Sequence, residues 1–215
     1  VKALRDLTKW DINLSEDLVE ATSDASSMLV YSNALRTLCT NVCKICNDLR
    51  LMSSGPRCGL NEINLPKMQP GSSIMPGKVN PVIPEVMNQI CYRVIGNDTC
   101  VMLGANNAQL ELNVMEPVMV YCLLESIELL KNGFDVLRKL CIDGITANKE
   151  HCREMVENSI GIITALVPVL GYKACSKLAK EALETGKGVV SLVREQGLLT
   201  EEQINDAMAT EKIIL

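Results

Sequence analysis

Apolar residues recur at steps of three and four between Met28 and Met52. The positions that carry this pattern are Met28, Tyr31, Leu35, Leu38, Val42, Ile45, Leu49 and Met52. A stripe sustained over several heptads is typical of a long helix that packs lengthwise against other helices. We predict that this helix begins near Ser15 or Asp17 and ends before Gly55, with Cys39 and Cys46 beside the stripe.

A second apolar stripe follows Pro117, and small residues interrupt it where a neighbouring helix could approach. Its positions are Met119, Leu123, Ser126, Leu130, Gly133, Leu137 and Leu140. A third helix, with a mixed polar and apolar face, is predicted from about Pro84 to Gln109. Only 3% of the residues are aromatic, which suits helix-on-helix packing better than a β-sandwich. We therefore predict an all-α protein built on a bundle of long helices.

The second half of the chain changes character at about Asp143. Short charged helices are predicted at Lys149 to Glu157, Lys173 to Glu184, Val189 to Glu195 and Glu201 to Ala209. Thr200 and Gln203 fit a capping box, and Gly186 fits a helix C-terminus. We predict a partial bundle domain over residues 1–143 and a small helical domain over 144–215. Because the chain opens on Val1 and stops at Leu215, we interpret it as a segment of a longer protein.

Charge and cysteine content exclude several classes of protein. The formal net charge is -5 with no long basic run, so we expect no nucleic-acid partner. No apolar run reaches the roughly 18 residues that a membrane helix needs. Ten cysteines, many at helical core spacing, indicate reduced thiols in a cytoplasmic protein. Cys43 and Cys46 could form a redox or metal pair, but core packing explains them better, and we predict no metal site.

One segment between the predicted helices, at about residues 66–83, is rich in turn residues and is called the serine loop below. It contains Gly71-Ser72-Ser73-Ile74-Met75-Pro76-Gly77-Lys78-Val79-Asn80-Pro81. Loops of this length in compact helical proteins are uncommon and often functional. The adjacent serines could supply a nucleophile or base, and the lysine, the asparagine and the following helix N-terminus could bind an anion. From the residues alone, a plain linker whose polar side chains only satisfy turns is the favoured interpretation.

The segment Gly71 to Pro81 resembles the signature loop of the aspartase/fumarase superfamily, Gly-Ser-Ser-x-Met-Pro-x-Lys-x-Asn-Pro, at every fixed position. The resemblance extends over essentially the whole chain, including Gly55-Pro56-Arg57. Relatives that act on argininosuccinate or adenylosuccinate usually carry a basic residue where Val79 stands, which favours the fumarase/aspartase branch. Within that branch, the segments Leu60 to Pro66, Asn113 to Pro117 and Ala21 to Asp24 look more like aspartase.

This resemblance implies a reversible anti-elimination of ammonia from L-aspartate to give fumarate, without a cofactor. It assigns the base to Ser72 and the binding of a substrate carboxylate to Lys78 and Asn80. Ser73 is expected to contribute a further contact, and Gly71, Met75 and Gly77 shape the mobile loop. Glu85 lies where fumarases have a glutamate near the site, although an acidic residue that stabilises a helix N-terminus is an equal alternative.

The resemblance also implies a homotetramer whose active sites are shared between subunits. In the family, further substrate contacts and a site histidine come from an N-terminal half that this chain does not contain. His151, the single histidine, is interpreted as an ordinary exposed helix residue. We therefore expect the chain alone to be catalytically incomplete. The alternatives are a fumarate hydratase acting on malate and fumarate, and a non-catalytic helical assembly module.

Overall fold

The computed structural model describes residues 1–209, which divide into two compact units, 1–146 and the part of the chain from residue 147 onward. The residues after 209, including the segment from Glu211 to Leu215, lie outside the described part. The helices and strands are α1 (Lys2–Thr8), α2 (Ser26–Met52), β1 (Ile63–Asn64), α3 (Val82–Asn106), α4 (Glu116–Leu140), β2 (Thr146–Ala147), α5 (Lys149–Glu157), α6 (Ile163–Leu170), α7 (Tyr172–Thr185), α8 (Val189–Glu195) and α9 (Glu201–Ala207). The all-α prediction is confirmed, and the two short strands pair with each other. The predicted domain boundary at residues 143 and 144 stays a prediction.

The first unit is built on α2, α3 and α4, and α3 packs along both of the other helices. The buried core of this bundle draws on aliphatic and sulfur-containing side chains: Cys39, Val42, Cys46, Leu49, Met87, Cys91, Val94, Leu130, Leu137 and Cys141. Such a core can stabilise helices through the burial of apolar area alone, which is the usual source of helix stability in proteins.

The start of α2 differs from the sequence prediction. Asp17 accepts hydrogen bonds from the main-chain N–H groups of Val19 and Glu20, at 2.8 and 3.1 Å. These bonds resemble a helix cap, but they close a short turn that leads into a 3₁₀ helix at Glu20–Thr22. The α-helix itself begins only at Ser26. The prediction of Ser15 or Asp17 was therefore wrong, because the capping signal formed a local turn instead.

The buried face of α2 is also rotated from the predicted stripe. Tyr31, Leu38 and Ile45 remain 47%, 42% and 51% exposed, whereas Cys39 and Cys46 are fully buried. The cysteines are thus the centre of the face that packs against α3, and not its margin. Because α3 approaches from one side of α2, one edge of the wide apolar surface stays exposed among residues 1–209.

Small residues let α3 and α4 approach closely, as the second stripe predicts. A Cβ atom added at Gly133 would lie 2.9 Å from Cδ1 of Ile90, and one added at Gly104 would lie 2.7 Å from Cγ of Met119. Pro117 stands in the first turn of α4, where its missing N–H has no helical partner to lose.

Polar side chains tie α3 to both neighbouring helices. On one side, Asp98 accepts a hydrogen bond from the Ser32 hydroxyl at 2.7 Å and pairs with Arg36 at 3.2 Å. On the other side, the buried Asn97 amide donates to the Ser126 hydroxyl at 3.0 Å and to the Glu125 carboxylate at 2.8 Å. The mixed face of α3 is therefore buried against other helices, as its sequence predicts, and Asn97 and Asp98 on it are paired.

The second unit forms its own core around α6 to α9, centred on residues such as Leu166, Leu178, Val189 and Ile204. The predicted bounds of α5 and α8 are confirmed, as are the capping box at Thr200 and the left-handed Gly186 at the end of α7. The sequence pattern did not predict α6, an apolar helix that contains Pro168. Within residues 1–209, no helix is long and apolar enough to cross a membrane.

Candidate active site

The site begins where the chain leaves α2 and folds back on the end of that helix. The main-chain N–H groups of Asn61 and Glu62 donate to the carbonyl oxygens of Ser54 and Met52, at 2.7 and 2.9 Å. A Cβ atom at Gly59 would lie 2.4 Å from the carbonyl group of Ser54, so only glycine fits this turn without a shift of the backbone. The fold-back brings residues 61–67 beside the later part of the serine loop.

The serine loop is closed by contacts between its two ends. The N–H of Gly71 donates to the carbonyl of Lys78 at 2.7 Å, and the Asn80 amide donates to the carbonyl of Gly71 at 3.1 Å. A Cβ atom at Gly71 would lie 2.9 Å from that Lys78 oxygen. Position 71 therefore requires glycine because the backbone of the other end of the loop is too close for a side chain. Position 77 favours glycine because its φ is positive, at 82°.

Ser72 lies inside this closed loop with its hydroxyl oxygen held by the backbone. Its Oγ accepts hydrogen bonds from the N–H groups of Ile74 and Met75, at 3.1 and 3.2 Å. Two aligned N–H dipoles favour a negative charge on the oxygen they contact. The same arrangement is a common turn in loops, so it fixes the Ser72 side chain whether or not the oxygen ionises.

Lys78 and Asn80 line a cleft of about 420 Å³ between the loop and the fold-back segment. Residues 77–81 of the serine loop line one part of the cleft, and the fold-back segment, which runs into the start of the loop, contributes polar residues that include Asn61, Asn64 and Lys67. The structure thus brings two of the predicted substrate-binding residues together. Ser72, Ser73 and Glu85 are not among the residues that line the cleft.

Glu85 occupies the first turn of α3, which begins at Val82 and not at the predicted Pro84. Its carboxylate lies 3.9 Å from the Arg50 guanidinium near the end of α2. The N-terminus of α3 and the Arg50 cation both favour a negative charge on the Glu85 carboxylate. A role for Glu85 in substrate binding stays a prediction.

A larger hollow of about 680 Å³ lies near the start of α2 and the end of α3. The ionisable residues that line it are all acidic: Asp17, Glu20, Asp24 and Glu111. Such a lining repels a dicarboxylate, so size alone does not make this hollow the better site.

Metal-binding side chains do not cluster in the described part of the chain. Among residues 1–209, no group of His, Cys, Asp and Glu is arranged to hold a metal ion. Cys46 of the Cys43–Cys46 pair is buried in the bundle core. His151 is half-buried on α5 and not exposed as predicted.

Lys67, Asn61 and Asn64 were not among the predicted site residues. Their proximity to Lys78 depends on the fold-back after α2, which the sequence pattern did not indicate. The usable signal was the cluster of turn residues from Gly55 to Gly59, which predicts a reversal of the chain but not which residues it brings to the cleft.

Comparison with known proteins gives a consistent family. Residues 1–96 match the family described as Lyase, and residues 162–214 match the family described as Fumarase C C-terminus. The aspartate ammonia-lyases of Pseudomonas aeruginosa and Escherichia coli are 52% and 51% identical over 214 residues, which is 100% of this chain. The chain belongs to the aspartase/fumarase superfamily. It spans 45% of the length of those two relatives and corresponds to their C-terminal part.

Solved structures of this superfamily share the fold. The fumarate lyase:delta crystallin from Brucella melitensis superposes with a TM-score of 0.89 at 47% identity, covering 95% of this chain and 44% of that one. The class II fumarase from Schistosoma mansoni gives a TM-score of 0.82 at 32% identity, covering 98% of this chain and 46% of that one.

Two of the three segments that favoured aspartase, Ala21 to Asp24 and Asn113 to Pro117, lie together and far from the serine loop, whereas the third, Leu60 to Pro66, lies beside the loop. The Thr22 hydroxyl donates to the carbonyl of Glu111 at 2.6 Å, and the N–H of Asn113 donates to the carbonyl of Thr22 at 2.8 Å. These contacts close the bundle at the start of α2, whereas the loop follows its end. At about 1.5 Å per residue, the 27 residues of α2 separate the two regions by roughly 40 Å.

Proposed function

We propose that this chain supplies the base and one carboxylate-binding corner of an aspartate ammonia-lyase. The observation that carries the proposal is the Ser72 oxygen, held by two main-chain N–H groups within a loop that also places Lys78 and Asn80 on a cleft. The identity of 51–54% to aspartate ammonia-lyases over at least 92% of the chain supports the choice of substrate.

The reaction requires removal of a proton from the carbon next to a carboxylate. As an alkoxide, Ser72 takes that proton, and the C–H electron pair is delocalised into the carboxylate. The pair then forms the C=C bond as the C–N bond breaks, so nitrogen leaves with the C–N electrons as ammonia. The proton on Ser72 is finally returned to solvent or to ammonia. No cofactor enters this balance.

The carboxylate next to the reacting carbon gains negative charge in the transition state and is therefore the group that needs electrostatic stabilisation. The Lys78 ammonium and the Asn80 amide supply a cation and a donor at the cleft, and fixed groups of this kind stabilise charge as it develops. Ser73 adds a further polar contact when the loop closes over substrate. Glu85, next to Arg50, orients groups at the edge of the site.

The complete site is assembled in a homotetramer, with the remaining substrate contacts supplied by segments that this chain lacks. The apolar edge of α2, formed by Tyr31, Leu38 and Ile45, supports assembly because it has no partner within the described chain. The ten free cysteines support a reducing cytoplasmic location. Sedimentation of the chain at increasing concentration tests assembly, and a monomer throughout would contradict it.

The substrate is tested with a chimera in which this chain replaces the matching 214 residues of the Pseudomonas aeruginosa relative. Fumarate formation is followed separately with L-aspartate and L-malate, beside the unaltered relative. Activity on L-aspartate alone supports the proposal. Activity on L-malate alone would instead indicate a fumarase, the activity named for the structural neighbour from Schistosoma mansoni. An assembled chimera that is inactive on both would leave an assembly module.

A further inference from the structure

Two contacts fix the register in which α3 packs against α4. At one of them, the Asn97 amide of α3 donates a hydrogen bond to the Ser126 hydroxyl of α4 at 3.0 Å. At the other, a Cβ atom added at Gly104 of α3 would lie 2.7 Å from Cγ of Met119 on α4. Residues three or four apart share one face of a helix, so the positions midway between these two contacts also face each other.

Cysteines occupy both midway positions. Cys100 stands one turn after Asn97 on α3, and Cys122 stands one turn after Met119 on α4. Both belong to one core cluster, in which Cys122 is buried and Cys100 is half-buried. Burial, together with a hydrogen bond between the Cys122 and Cys100 thiols, raises the pKa of Cys122 to about 11. The two sulfur atoms are therefore neighbours across the helix interface, and both are free thiols.

The backbones of α3 and α4 are close enough in this stretch for a covalent bond between two side chains. A disulfide needs Cβ atoms that are about 3.5–4.5 Å apart. One turn beyond Cys100, a Cβ atom added at Gly104 would lie 3.6 Å from Cβ of Met115. The close packing that this glycine permits therefore brings the two helices to the separation that a disulfide requires.

Thiols also meet between α2 and α3, but the helices differ there. The Cys91 thiol of α3 interacts with those of Cys39 and Cys43 on α2. Helix α2 carries no glycine at which its backbone could approach α3 in the same way. Cys91 and Cys39 are also fully buried, which shields them from an oxidant in solution. The pair between α3 and α4 is thus the better candidate for oxidation.

We propose that Cys100 and Cys122 are a peroxide-sensitive pair that forms a reversible disulfide and thereby links α3 to α4. Cys100 reacts first because it is half-buried, whereas Cys122 is buried and protonated. Hydrogen peroxide transfers one oxygen atom to the Cys100 sulfur, so the O–O bond breaks, a sulfenic acid forms and one water leaves. The Cys122 sulfur then attacks the Cys100 sulfur, the S–O bond breaks, and the departing hydroxide takes the Cys122 proton as a second water.

The disulfide would close residues 100–122 into a covalent loop that joins both helices. Such a loop restricts the unfolded chain, so the oxidised protein should unfold at a higher urea concentration than the reduced protein. A small thiol cleaves the bond again by exchange, which makes the link reversible. Neither cysteine lines the cleft beside the serine loop, so this inference does not depend on the proposed function.

The test treats the folded 215-residue chain with hydrogen peroxide, blocks the remaining thiols with iodoacetamide and digests the product with trypsin without reduction. Trypsin cuts after lysine and arginine, so residues 94–131 form one peptide whose only cysteines are Cys100 and Cys122. We expect this peptide to lose about 2 Da, the mass of two hydrogens, and to carry no alkyl group. Oxidation of a methionine adds about 16 Da and is therefore distinguished by mass.

Cys100→Ser and Cys122→Ala should each leave the remaining thiol of the peptide open to alkylation and should remove the rise in the urea midpoint. Because Cys100→Ser leaves the buried cysteine in place, it serves even if the other variant fails to fold. Cys58→Ser, which changes an exposed cysteine, is the control and should form the linked peptide as the unaltered chain does. Dithiothreitol should reverse both effects. Alkylation of both cysteines after peroxide treatment, a Cys43–Cys91 link that forms first, or a linked chain with an unchanged urea midpoint overturns the inference.

Discussion

At the scale of single residues, the serine loop shows how a backbone contact can matter as much as a side chain. Gly71 carries no reacting group, yet its N–H and carbonyl join the two ends of the loop through Lys78 and Asn80. Ser72 follows directly, so the position of its oxygen depends on that closure. If Ser72 is the base as proposed, a glycine is therefore part of the catalytic requirement.

Gly71→Ala should lower the fumarate-forming rate of the chimera by about 100-fold, because the new Cβ displaces the loop and small misplacements of reacting groups are costly. That Cβ would lie 2.9 Å from the Lys78 oxygen and 3.0 Å from the Asn80 nitrogen. Gly77→Ala is the control, since its Cβ meets nothing within 4 Å and only the positive φ is strained. Equal losses in both variants, measured by steady-state kinetics, would contradict the importance of closure.

At the scale of elements, the sequence predicted the helices better than their surfaces. The bounds of α5 and α8 followed from charge pattern and caps, which are local. The predicted start of α2 was wrong because Asp17 can cap either a helix or a turn. Which of the two forms depends on packing. The buried face of α2 was misplaced because its apolar surface is wider than one neighbour can cover.

Two glycines of α3 should respond oppositely to alanine. Gly104→Ala should lower the free energy of unfolding by about 1–3 kcal/mol, because its Cβ would lie 2.7 Å from the buried Met119 side chain. Gly96→Ala should raise it by about 0.5–1 kcal/mol, since no atom lies within 4 Å and alanine has the higher helix propensity. Urea unfolding of the chain measures both. Destabilisation by Gly96→Ala would show that a further element contacts that position.

At the scale of the whole molecule, the core of the first unit contains buried cysteines whose thiols have raised pKa values. Burial, together with the neighbouring Cys43 and Cys141, raises the pKa of the Cys46 thiol to about 11. Burial likewise raises the pKa of Cys122 to about 11 and that of Cys91 further. The amino-acid pattern located these cysteines in the core, but which thiols meet depends on the pairing of α3 with both neighbours.

The raised thiol pKa values predict that the free energy of unfolding falls at alkaline pH. A thiol whose pKa is raised in the folded state contributes fully below its ordinary value of 9.0, and the contribution is lost as the pH rises through the folded value near 11. Unfolding free energies between pH 8 and 11 should fall by up to about 1.4 kcal/mol per pH unit for each such thiol.

Cys46→Ala should be less stable at pH 8 but show a shallower decline with pH. Cys58→Ser, which changes an exposed cysteine, should follow the unaltered chain. A decline of the same slope in Cys46→Ala would assign the alkaline effect to other groups, such as lysines.

The residues of the candidate site that are close together in the sequence could be predicted from the sequence. Ser72, Lys78 and Asn80 stand within one contiguous motif, so a pattern could find them. Lys67 and Asn61 could not be found in this way, because they reach the cleft through the fold-back after α2. The remaining substrate contacts, which we propose come from segments that this chain lacks, could not be predicted from its residues.

The most direct measurement of the central claim is the rate of fumarate formation by the chimera with Ser72→Ala. We expect a loss of about 100- to 10,000-fold, the range expected when a positioned base is removed. The variant should still assemble and should bind succinate as the unaltered chimera does, because Lys78 and Asn80 remain. A Ser72→Ala chimera that retains more than about a tenth of the activity would contradict the assignment of Ser72 as the base.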